Sequence, residues 1–236
     1  MLDTRELSLA KAPCPFCGPS LFVRLNGTDV GVRCVRCAAG VVHVSMGFAL
    51  GDNVATLSSC GMCEFAARGP LVDHLRRHAR TLAVSEYFAD AAPGEIRDGV
   101  RCEDMQRLSY ADASFDVVTH TEVLEHVPDD HRALTELHRI LRPGGRMLFT
   151  VPLHGGEQTV ERARVRDGGV EHLLPPAYHT DPLQTGAGIL AFRDYGRDIL
   201  ERLRAAGFVD ARMHTPRRTL PWLHWREVII ASRARE

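Results

Sequence analysis

From about residue 61 onward, short apolar runs alternate with stretches in which apolar residues recur every three or four positions. A period that switches back and forth in this way predicts strands separated by helices, and hence a mostly parallel α/β sheet. Strands are expected at residues 62–66, 82–85, 100–102, 115–119, 146–151, 209–213 and 227–231. Helices are expected at 71–79, 130–141 and 194–205. In the second of these, Leu134, Leu137, His138 and Leu141 share one face. The turn Pro143-Gly144-Gly145 should end that helix, and Gly207 should close the third.

The segment before this pattern is organised by cysteine. Cys14-Pro-Phe-Cys17 and Cys34-Val-Arg-Cys37 stand in C-x2-C-x16-C-x2-C spacing, which is that of a zinc ribbon. Each pair fits a tight turn, and residues 21–23 and 30–33 could form the hairpin that brings the turns together. Four thiolates leave no open position for water, so Cys14, Cys17, Cys34 and Cys37 are expected to hold a structural Zn2+. A third pair, Cys60 and Cys63, lacks a partner pair. Cys63 and Cys102 read as small buried strand residues.

Two stretches carry a family likeness. They are Leu108-Ser-Tyr-Ala-Asp-Ala-Ser-Phe-Asp-Val-Val-Thr-His-Thr-Glu-Val-Leu-Glu-His-Val-Pro-Asp-Asp130 and Glu136-Leu-His-Arg-Ile-Leu-Arg-Pro-Gly-Gly-Arg-Met-Leu-Phe-Thr-Val-Pro152. In order and spacing they resemble the central segments of class I, type 11-like, S-adenosylmethionine-dependent methyltransferases. The resemblance implies a Rossmann-like α/β fold: a seven-stranded, mostly parallel sheet flanked by helices, with a small zinc ribbon at its N-terminus. Residues 1–44 would be the zinc-ribbon-like module and 45–236 the methyltransferase domain, with an insertion at about 153–193.

The same resemblance carries over to single residues. Glu86, ending the second strand of the domain, matches the acidic position that binds both ribose hydroxyls of the cofactor, a task suited to an acceptor-only carboxylate. Tyr87 would lie beside the adenine. Asp104 and Met105 match the positions at the adenine amino group and over its ring. Thr119 and His120 match the segment along the methionine half and the substrate entrance. Glu64 fits the acidic position after the first strand, but the glycine-rich loop that follows it in the family is reduced to Ala66, Ala67 and Gly69, with Arg68 between them. Glycine serves close approach and positive φ at such a loop, so its loss admits a domain that no longer binds cofactor.

The insertion, rich in Pro, Gly and His, reads as a lid or substrate wall. His154, His179 and Asp181, with His126, are the candidates for acceptor contact or general base, histidine being the natural base near neutral pH. No ligand spacing in the insertion demands a second metal site.

Charge narrows the acceptor. With 29 basic and 30 acidic residues the formal net charge is −1, and nucleic-acid or anionic-membrane binders carry a clear positive excess. Lys11 is the only lysine, a pattern of arginine usage that reads as genomic bias rather than phosphate binding. The absence of a long apolar run and the polar start lead us to expect a cytoplasmic protein with no membrane partner. A methyltransferase acting on a small molecule, such as a sugar or a secondary-metabolite intermediate, fits best. An RNA methyltransferase with a zinc module, and a non-catalytic zinc-stabilised binding protein, are the alternatives.

Overall fold

The structure, a computed structural model, describes residues 8–25, 31–179, 188–216 and 226–235. It begins with β1 (Ser8–Cys14), β2 (Gly18–Arg24) and β3 (Val32–Cys34), a three-stranded antiparallel sheet, followed by α1 (Val41–Asn53). The α/β part runs β4 (Gly61–Glu64), α2 (Pro70–His78), β5 (Thr81–Glu86), β6 (Ile96–Arg97), β7 (Val100–Cys102), β8 (Phe115–Thr121), α3 (Asp130–Ile140) and β9 (Leu141–Thr150). The insertion is built from short strands: β10 (Val160–Glu161), β11 (Ala163–Arg166), β12 (Gly169–His172), β13 (Tyr178–His179), β14 (Ile189–Leu190) and β15 (Arg193–Asp194). Then come α4 (Ile199–Ala205), β16 (Val209–His214) and β17 (Val228–Ser232).

The central sheet has eight strands in the order β16-β17-β9-β8-β4-β5-β7-β6. The pairs β9/β8, β8/β4, β4/β5 and β5/β7 are parallel; β17 runs against β9 and β16, and β6 against β7. The strand beyond the expected seven is β6, two residues long. It forms a hairpin with β7 through Asp98-Gly99, both at positive φ, as a two-residue type I′ turn requires. Cys63 and Cys102 are buried in β4 and β7, as expected of strand residues.

Local chemistry explains most boundaries. Gly69 and Pro70 open α2, Asp73 lies in its first turn and Arg76, Arg77 and His78 in its last, matching the helix dipole. Asp129 caps α3 by accepting Arg132 N at 3.0 Å, and Ala133, Leu134, Leu137 and Ile140 form its buried stripe.

Three expectations are corrected. Leu141 leaves α3 and pairs with Phe115, so β9 starts before Pro143, and the Pro-Gly-Gly stretch is an irregularity within the strand. The third helix starts at Ile199 rather than 194, because Asp194 pairs with Val160 and Tyr195 is drawn into the core. Helix α1 was not anticipated, and the expected boundary between residues 44 and 45 falls inside it. Its sequence is apolar nearly all round: Val41, Val44, Met46, Ala49 and Leu50 are buried, which leaves no polar stripe to reveal a helical period.

Two cores result. One lies between the sheet and α3 and α4, around Leu134, Leu137, Phe149, Tyr195 and Leu203. The other joins Phe16, Phe22 and Val32 of the N-terminal sheet to α1, α2 and the opposite sheet face at Val117, Leu148 and Ile230. At Gly47 the contact is so close that an added Cβ would lie 2.8 Å from the Phe16 ring. No helix among the described residues is long and apolar enough to cross a membrane.

Candidate functional site

The chain leaves β4 for β5 and β7 on one side and returns to β8 and β9 on the other. That reversal opens a crevice at the carboxyl ends of the strands, where ligands of open parallel sheets bind. Glu64, Glu86, Glu103, Asp104 and residues 119–126 all fall at these ends.

Glu64 is wholly buried, and its Oε2 accepts the Thr119 hydroxyl across the β4–β8 ladder. Burial pushes its carboxyl up to about 8, with the Thr119 bond opposing and the Glu86 charge adding. At the end of β5, Glu86 Oε1 accepts Ala67 N at 2.8 Å, so this carboxylate is fixed to the loop that follows β4. In that loop Ala67 is buried, Ala66 half-buried and Arg68 turned to solvent. Gly69 has φ of +114°, and an added Cβ would meet only His43 Nε2, at 3.8 Å. Backbone conformation rather than lack of room reserves this position for glycine.

Past β7, Asp104 Oδ1 accepts Gln106 N at 2.9 Å and Gln106 Nε2 at 3.1 Å. Met105 is buried and Tyr87 exposed. Glu103, which the sequence reading passed over, braces the turn by accepting Ser109 N at 2.8 Å and Arg101 Nε at 2.7 Å.

His120 is fully buried, stacked on Phe149 at 4.6 Å between centroids, with neither ring nitrogen hydrogen-bonded. Burial lowers its pKa to about 3. An unfolded imidazole titrates near 6.5, so unfolding in acid takes up a proton. The stability His120 confers is therefore complete above pH 6.5 and is lost as pH falls from 6.5 toward 3. At pH 5 the loss should reach about 2 kcal/mol. Urea melts of wild type and His120→Phe at pH 7 and pH 5 check this: the variant should lose about that much less between the two, and equal losses would exonerate His120.

A second group lies just past β8, where Glu122 adopts φ of +53°. The Glu125 carboxylate is buried, with neither oxygen hydrogen-bonded. His126 Nε2 lies 3.7 Å and His179 Nδ1 3.6 Å from Glu125 Oε1. His126 Nδ1 contacts the Leu190 carbonyl at 2.8 Å, and the two imidazoles meet edge-on at 4.9 Å. His179 is raised above its ordinary pKa by its pairing with Glu125. Burial, with the Glu125 charge, pushes Glu122 up to about 7. The β13–β14 pairing and the Phe192 N to Glu125 O bond (2.8 Å) bring the insertion to this wall.

His154 is not part of that group. Its Nε2 contacts the Gln158 carbonyl at 2.8 Å and its Nδ1 accepts Gly156 N at 3.3 Å, so its ring is occupied in tying its own turn. Asp181 lies outside the described residues. An open cleft of about 560 Å³ runs past Gln106, Asp129, Glu161 and Arg193 and includes none of the residues expected to hold cofactor.

In the N-terminal segment, Cys14, Cys17, Cys34 and Cys37 converge, their sulfurs all within 4.8 Å of one another. Cys14 Sγ is 3.6 Å from Cys37 Sγ, and Cys17 Sγ is 3.5 Å from Cys34 Sγ. A tetrahedral Zn2+ with ligands at 2.3 Å separates its sulfurs by about 3.8 Å. The four thiols thus fit one such ion. Cys60 stands apart, its Sγ directed at the Thr56 carbonyl.

Comparison with known proteins agrees with the crevice. Residues 60–149 match the family described as "Methyltransferase domain". Over 72 residues, 28% of this chain and 26% of the relative, the sequence is 43% identical to 27-O-demethylrifamycin SV methyltransferase of Amycolatopsis mediterranei. Over 90 residues, 35% of this chain and 38% of the relative, it is 29% identical to a ubiquinone biosynthesis O-methyltransferase of Coxiella burnetii. The chain thus spans well under half of these curated relatives. The structure of an S-adenosylmethionine-dependent methyltransferase from Mesorhizobium loti superposes with a TM-score of 0.54 at 16% identity, covering 82% of this chain and all of that one. One from Listeria monocytogenes gives 0.53 at 9% identity, covering 83% and 99%. The fold is that of these methyltransferases.

Proposed function

We propose that this chain, whose residues 60–149 form a methyltransferase domain, transfers a methyl group from S-adenosylmethionine to an oxygen of a small-molecule acceptor. The observation that carries the reading is the Glu86 carboxylate, held at the carboxyl end of β5 by Ala67 N beside the strand-order reversal. The donor set suits the cofactor. Glu86 offers acceptors for two ribose hydroxyls, Tyr87 and Met105 flat and apolar cover for adenine, and Asp104 an acceptor for its amino group. The chain from Ala66 to Gly69 forms the loop beneath, and Glu64, bonded to the Thr119 hydroxyl, fixes the strand ends that lead into it. Thr119 and His120 back the methionine half as packing.

When bound, the cofactor supplies an activated methyl group and its own leaving group. What remains for the protein is alignment and control of the acceptor's proton. His126 and His179, braced by Glu125, are the groups we assign to the acceptor side. His154 receives no role in the chemistry because its ring is committed to its turn. The rifamycin and ubiquinone relatives, both named for O-methyl chemistry, support an oxygen of a small, non-polymeric acceptor, and the chain's near-zero net charge agrees. We assign the four-cysteine cluster a structural Zn2+.

Calorimetric titration with S-adenosylmethionine tests the reading. Wild type should bind one equivalent, and Glu86→Ala should bind about tenfold to a hundredfold more weakly, the worth of hydrogen bonds to a charged acceptor. A folded wild type that does not bind would favour the non-catalytic alternative.

A further inference from the structure

We propose that Glu125, His126 and His179 hold a divalent metal ion just past the carboxyl end of β8, a second metal site distinct from the four-cysteine cluster. Three observations carry it.

The first is convergence. One carboxylate oxygen and two imidazole nitrogens lie within 4.8 Å of one another, although His179 is far from the other two in sequence.

The second is the orientation of His126. A carbonyl oxygen can only accept, so the 2.8 Å contact with Leu190 O places a proton on Nδ1 and fixes the ring. Its Nε2 is thereby aimed at Glu125 Oε1, 3.7 Å away and beyond hydrogen-bond distance. An ion held by both atoms would occupy that gap. A ligating histidine whose other nitrogen donates to a backbone carbonyl is also the arrangement that fixes ring orientation in metal sites.

The third is the state of the carboxylates. Both Glu125 oxygens and Oε1 of neighbouring Glu122 are shut off from solvent without a hydrogen bond, and Glu125 Oε1 faces the two imidazoles at 3.6 and 3.7 Å, ion-pair distances too long for hydrogen bonds. Buried carboxylates are ordinarily paired or coordinated.

The donor set, two imidazoles with carboxylate, suits a first-row divalent ion such as Mn2+, Fe2+ or Co2+. Three protein ligands leave coordination positions open, in contrast to the closed four-cysteine cluster. Resting on the methyl-transfer reading, those positions would take the acceptor's hydroxyl together with an adjacent oxygen. The acceptor class is then a vicinal diol, a catechol or a hydroxy-carbonyl compound. A bound ion makes such a hydroxyl more acidic, and the proton lost passes to water or a buffer base.

The experiment uses the full chain with its cysteine cluster zinc-loaded, and Mn2+ as the probe, because this ion competes poorly for thiolates. Free Mn2+ is read by electron paramagnetic resonance during titration. Wild type should take up one equivalent, and Glu125→Gln and His179→Asn should each weaken uptake by at least about tenfold. His179→Asn keeps the test open if the buried substitution prevents folding, since His179 is partly exposed. Uptake that is absent from wild type, or unchanged in His179→Asn, overturns the proposal. S-Adenosylmethionine binding by the same samples separates the two readings. Mn2+ uptake without cofactor binding upholds the metal site and removes its link to methyl transfer, whereas cofactor binding without Mn2+ uptake sinks the metal site alone.

Discussion

Cys34→Ser is expected to abolish zinc retention and to unfold the N-terminal sheet, the largest effect of any single substitution considered. The Cys34 sulfur is buried, 3.5 Å from Cys17 Sγ and 3.1 Å from the Ser20 hydroxyl, so it belongs to the inner half of the cluster. Structural zinc contributes about 10–16 kcal/mol in small domains near neutral pH. The strands β1 to β3 are too short to replace that with a core of their own. Elemental analysis should fall from one zinc per chain to almost none, and the thermal transition should shift down and broaden. Cys60→Ser is the control, because Cys60 points at a carbonyl outside the cluster. Equal zinc content in wild type and Cys34→Ser would sink the assignment.

Arg193→Met should cost about 3–5 kcal/mol, the usual penalty for removing one partner of a buried ionic network. Arg193 is 3% exposed. Its guanidinium donates to the Val127 and Pro128 carbonyls, each at 2.6 Å, and to Glu161 at 3.1 Å. Asp130 also takes Arg202 at 2.9 Å and the Tyr195 hydroxyl at 2.9 Å. The network therefore ties β10 and β15 of the insertion to the start of α3 and to α4. Methionine fills the space but leaves two carbonyls and a buried carboxylate under-satisfied. Arg193→Lys should recover only part of the loss, since lysine lacks the planar fork. Urea denaturation measures both, and a loss below about 1 kcal/mol would show that water replaces the guanidinium.

The sheet was largely legible in the sequence because its strands are central and doubly buried, and such strands read as continuous apolar runs. Phe115, Val117, Val118, Thr119 and His120 are all buried. Helix α1 was not legible, since its neighbours cover it on nearly every side and erase the polar stripe. The insertion's hairpins are too short to show alternation. Asp167-Gly168, both at positive φ, marks one of their turns locally. At the site, Glu86 and Asp104 could be placed because each follows a strand end at family spacing. Glu125 was missed although it sits in Glu122-Val-Leu-Glu125-His126, because its meaning depends on His179. That residue reaches it because β14, which pairs with β13, and the segment that follows are bonded back to residues 126 and 125, a contact between distant parts of the chain that no local pattern encodes.

The second core has a consequence for synthesis. Phe16 and Phe22 share that core with Val228 and Ile230, so surface translated early waits for surface translated about 200 residues later. At typical ribosomal speeds the roughly 200 intervening residues take about 10–40 s. A zinc-clamped knuckle can hold its own shape through that interval, whereas a metal-free one would present Phe16, Phe22 and Val32 to chaperones and proteases. On the proposed zinc assignment, supply at the ribosome, rather than in the finished protein, is then the point at which metal availability would govern yield.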